Sequence, residues 1–200
     1  MSEFSRRDLV RIAMGVAAAG GAIDVVSAQH VHQAAADVKA TDGGVYKPKA
    51  LNEHEYATLR RLAELIVPSE GDSPSALDSG ACEFIDLLCS NNDELAVICT
   101  GGIFWLDRTM QGRYGSSFVD AKPEQQTAML DLIAYRRNAE TNPELGPGIH
   151  FFSWARMMVV DGYYTSKPGI KDVGYLGNKG MVKFEIPQEA LDYALKRSPV

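Results

Sequence analysis

The chain has 200 residues, nearly half of them hydrophobic, with 20 basic against 26 acidic side chains and a net charge of −6. That length suits one ordinary domain with its own core, and the acidic balance argues against a nucleic-acid binder or a protein seated on an anionic membrane. Three cysteines, with no C-x-x-C among them, speak against haem attachment and zinc.

The first 28 residues read as an export signal. Ser5-Arg6-Arg7-Asp8-Leu9-Val10-Arg11 precedes an uncharged run from Ile12 to Ile23, and Val26-Ser27-Ala28 supplies the small-residue end of a cleavage site. The pair Arg6 and Arg7 ahead of Ala/Gly-rich residues points to the twin-arginine (Tat) route, whose translocase carries folded proteins. Against an uncleaved anchor, the run is shorter than the roughly 20 apolar residues a span needs, and Asp24 ends it. The expectation is a signal over residues 1–28 cut after Ala28, a periplasmic destination, and membrane association only through partners.

Residues 29–49 lack apolar periodicity and read as a flexible linker in which His30 and His32 are solvated. From residue 50 a mainly α domain is expected to run to residue 200, as one compact multi-helix unit. Asn52 is a good N-cap with Glu55 three residues on, and the helix it opens stops before Pro68. Residues 69–79 are turn-rich. A second helix spans about 80–89, with Phe84, Ile85 and Leu88 inward and Glu83 and Asp86 on a solvated face.

After Asn91-Asn92 a longer helix carries an apolar stripe through Leu95, Cys99, Gly102, Ile103, Leu106 and Met110. Its Gly101-Gly102 pair costs about 2 kcal/mol of helix propensity and predicts close packing against another helix. Another helix begins at Pro123 and runs to about Ala139. Residues 151–160 are apolar almost all round, hence central. Residues 162–183 read as a long Gly/Tyr-rich loop, and a short terminal helix starts at Pro187.

Catalytic motifs are nearly absent: no dinucleotide fingerprint follows a strand, and neither a P-loop nor a nucleophile elbow occurs. His54 reads as exposed, His150 as a helix cap, and Asp107-Arg108 as a solvated face. The loop tyrosines Tyr163, Tyr164 and Tyr175, with Trp154, are candidate partner-interface residues, because flat amphipathic rings suit protein interfaces. Packing of those rings on the chain's own core is the competing reading. Cys82 and Cys89, seven apart on one helix, are too distant to bridge; Cys99 could pair with Cys89 and leave Cys82 free, one of the three thiols could bond another chain, or all three could be small buried residues of the core.

In order along the chain stand Leu51-Asn52-Glu53-His54-Glu55, Leu65-Ile66-Val67-Pro68, Phe84-Ile85-Asp86-Leu87-Leu88, Phe104-Trp105-Leu106-Asp107, Tyr114-Gly115-Ser116-Ser117-Phe118 and the Gly162 to Gly177 segment. With the Tat signal, this ordered set resembles the gluconate 2-dehydrogenase subunit 3 family, over about residues 50–180. The resemblance implies a non-catalytic small (gamma) subunit with no cofactor of its own. Its partner would be a catalytic subunit holding FAD, brought to maturity and through the Tat pore by this chain, with a cytochrome c subunit as electron acceptor in complexes of this type. A free-standing periplasmic binding protein, with a pocket lined by Trp105, Trp154 and the loop tyrosines, is the alternative.

Overall fold

The computed structural model describes residues 25–175 and 186–197. Among these residues there are nine α-helices, one 3₁₀ turn and no strand; an isolated bridge joins Glu70 and Ser73. Arg6, Arg7, most of the proposed signal and residues 176–185 lie outside the described residues.

The first finding overturns an expectation. Helix α1, Val25–Thr41, occupies most of what reads as a flexible linker. It has almost no amphipathic signature because its buried seam is made of small side chains: Ala28, Val31 and Ala35 are buried, set three and four residues apart. That seam faces α3. Burial of alanines contributes little to hydropathy patterns, so the helix is hidden from periodicity.

Helix α2, Glu53–Ile66, starts as expected: the Asn52 side chain accepts from Glu55 N–H, and Glu55 accepts from Asn52 N–H. Tyr56, Leu59, Leu62 and Ala63 form its buried face. Helix α3, Ala81–Cys89, is buried along its whole length. Its Glu83 and Asp86 are therefore not solvated, contrary to the charge pattern.

Asp86, with no exposed surface, accepts from the Tyr46 hydroxyl (2.8 Å) and the main-chain N–H groups of Lys49 (2.7 Å), Ala50 (3.1 Å) and Leu51 (3.0 Å). Four donors satisfy the carboxylate that burial removes from water. They also pin the segment between α1 and α2 onto α3.

Helix α4, Asp93–Tyr114, is capped by Asn92 and ends at Gly115, whose φ of 74° is left-handed. Its inward face is the expected one, with Cys99, Gly102, Ile103, Leu106 and Met110 buried. A Cβ on Gly102 would stand 1.9 Å from the Phe151 ring, so the glycine makes room for an aromatic side chain of a neighbouring helix.

Helix α5, Pro123–Ile133, is shorter than the sequence suggests; the chain turns at residues 134–137, and a four-residue α6, Asn138–Thr141, follows. The 3₁₀ turn Pro143–Leu145 leads into α7, Gly146–Tyr164. This is the central helix, packed on α2, α3, α4, α5 and α8. His150 does not cap it: the helix begins at Gly146 after Leu145, and His150 lies inside it, exposed.

The described part of the expected long loop, residues 162–175, is also mostly helical. Residues 162–164 end α7, and after a Ser166 cap α8 spans Lys167–Asp172. The two helices meet tightly, since a Cβ on Gly169 would fall 2.0 Å from the Tyr163 carbonyl oxygen. Helix α9, Gln188–Arg197, exposes all its side chains. No helix among the described residues is long and apolar enough to cross a membrane.

Candidate functional site

The side of α1, the start of α3 and the end of α7 converge on one face. His32 of α1 is not solvated: its ring stacks on Phe84 of α3 with centroids 4.7 Å apart, and its Nε2 lies 3.1 Å from the Thr165 hydroxyl. Burial lowers its pKa to about 4, against the raising effect of a hydrogen bond to the Gly162 carbonyl. The imidazole is thus neutral near pH 7 and serves as a packed, hydrogen-bonded fastener between α1 and the body.

Beside it a cleft of about 570 Å³ opens between α1, residues 77–80 and the α7–α8 junction. Gln29, Gln33 and Lys39 line the α1 wall, and Ser79, Thr165, Ser166 and Lys167 the opposite one. Glu83 contributes to the floor; it is 6% exposed, and its Oε2 has no hydrogen-bond partner. None of the aromatic side chains anticipated for a ligand pocket lines this cleft. Trp105 instead covers Gly148, where a Cβ would come within 2.0 Å of the ring.

A second recess holds His54, whose Nε2 is 2.6 Å from Asp107 Oδ2, while Asp107 Oδ1 accepts from Phe118 N–H at 2.8 Å. Histidine paired with carboxylate is half of a nucleophile-activating relay. Ser117 on the same rim donates to Asp120, however, so the pair acts as a tie between α2, α4 and the Phe118 turn.

The four candidate interface rings divide into two kinds. Trp154 and Tyr163 belong to this chain's own core, at 8% and 1% exposure, and Tyr163 donates to Asp172. Tyr164 and Tyr175 are exposed, at 44% and 51%, as is Val173. Sequence reasoning missed a further exposed apolar strip: Val97, Gly101 and Phe104 share one outer face of α4 at four- and three-residue spacing. Gly101 has nothing near it in this chain that a side chain would strike. The signal was available in an apolar pair lying opposite the inward stripe.

All three cysteines are buried free thiols. No group of three or more potential metal-ligating side chains gathers among the described residues.

Residues 53–182, more than half of the chain and all of α2 to α8, match the family model described as gluconate 2-dehydrogenase subunit 3. The chain belongs to the gluconate 2-dehydrogenase subunit 3 family. No curated protein and no solved structure matches it significantly. Helix α1 and its half of the cleft precede the matched residues, whereas Asp86, Glu83, the α4 strip and the α7–α8 junction lie within the subunit 3 region. The family name places such chains in multi-subunit complexes.

Proposed function

We propose that this chain is the small accessory subunit of a flavin-dependent sugar or polyol dehydrogenase, holding no cofactor and docking on a catalytic subunit that carries FAD. The observation that carries the reading is the family match over residues 53–182, which takes in α2 to α8. Exposed apolar side chains, among them Val97 with Phe104 on α4 and Tyr164, Val173 and Tyr175 at the ends of α7 and α8, offer surface to a partner. The same reading assigns the first 28 residues to the Tat translocase, so that a folded, loaded partner crosses with this chain, and leaves electron transfer to a cytochrome c subunit.

Co-expression with a candidate FAD-dependent dehydrogenase subunit tests it. A tagged chain should retain untagged, yellow flavoprotein through two purification steps, and Arg6→Lys with Arg7→Lys should strand both this chain and its partner's activity in the cytoplasm. A monodisperse, colourless monomer from cells expressing both would overturn the reading.

The cleft under α1 favours one other reading, a binding protein for a small ligand, since it is concave, walled by both polar and apolar groups and lined by a buried carboxylate oxygen without a hydrogen-bond partner. Thermal shift against glucose, gluconate and sorbitol separates the two: a saturable rise in Tm for the isolated chain belongs only to the second.

A further inference from the structure

A bond that the export signal marks for cutting lies inside a folded helix. Ala28, the residue after which cleavage is expected, sits in the first turn of α1 and has no exposed surface. One turn on, Val31 is 1% exposed, and His32 is fastened to Phe84, Thr165 and the Gly162 carbonyl. A peptidase grips several residues on either side of the bond in extended form, whereas helical carbonyls here are engaged by N–H groups four residues on. Presenting the Ala28–Gln29 bond therefore requires unwinding α1 through residue 30 or beyond, lifting Ala28 from α3 and straining the Val31 and His32 contacts. Backbone that is buried and hydrogen-bonded resists proteolysis until it opens locally.

We propose that docking of α1 on α3 shields the Ala28–Gln29 bond, so that a chain exported in the folded state keeps its first 28 residues. Processing is then decided by the order of events: cleavage needs α1 undocked, and folding before export docks it. The consequence for the cell rests on the export reading above; the shielding itself does not.

Two measurements keep those parts separate. In the first, the purified full-length chain is treated with elastase, which cuts after small side chains, and with signal peptidase in detergent. N-terminal sequencing then counts ends at Gln29. Cleavage there should be at least tenfold slower for the folded chain than for the chain in urea. The Val31→Asp variant, with α1 released, should approach the urea rate. Equal rates for folded and urea-treated chain would overturn the shielding, whether or not the variant folds.

In the second, intact mass is read on the chain recovered from the periplasm. A mass near 21.8 kDa supports retention, and one lowered by residues 1–28 overturns it. A chain found only in the cytoplasm refutes the export reading and leaves the first measurement to decide the shielding.

Discussion

Asp86 shows how one carboxylate can organise a fold from inside it. Its two oxygens collect a hydroxyl and three main-chain amides from residues 46–51. Asp86→Ala orphans buried donors that each cost about 1–3 kcal/mol. A loss of about 3 kcal/mol or more is expected in urea denaturation, with Asp86→Asn milder because one oxygen remains. His32 gives the chain a pH dependence of definite sign. Its pKa falls from 6.5 unfolded to about 4 folded, so the unfolded state binds the extra proton between those values. Stability is therefore full above about pH 6.5 and declines as pH drops toward 4. Burial raises the Asp161 carboxyl, which acts in the opposite sense, so the comparison that isolates His32 is wild type against His32→Gln. The variant's Tm should lose part of its slope between pH 6.5 and 4.

At the scale of helices, the seats between them are set by glycine facing aromatic rings. Gly102→Ala drives a methyl group into Phe151 and should lower stability by about 1–3 kcal/mol, read from the urea midpoint at unchanged m. Gly101→Ala, on the outer face one residue away, should be neutral or slightly stabilising in the isolated chain. This contrast explains what was legible beforehand. Capping residues and strong stripes announced α2, α3 and α4, and the all-round apolar run announced the central place of α7. Elements whose packing relies on small or polar side chains were invisible: α1 has an alanine seam, and α8 is a turn and a half held by Gly169 and the Ser166 cap. In a sequence, charge reads as a sign of solvent, but a helix buried all round offers Glu83 and Asp86 none, and the donors that satisfy Asp86 lie 35 to 40 residues away in the chain.

Taken as a whole molecule, the chain separates rings that hold it together from rings that face outward, and the two sets respond to different measurements. Tyr164→Ala and Tyr175→Ala should leave the Tm of the isolated chain nearly unchanged and weaken capture of the catalytic subunit by about 1–3 kcal/mol each. Tyr163→Ala should do the reverse, costing about 3–5 kcal/mol of fold stability as a buried aromatic does. Of the proposed docking surface only the tyrosines are legible in the sequence, which cannot tell which of two adjacent rings turns inward. A practical corollary concerns where to trim the gene. The stretch recognisable by kinship starts at Glu53, yet a recombinant product begun there would strip Asp86 of every donor and bare the ring of Phe84. The smallest piece able to stand alone begins upstream of its own family signature.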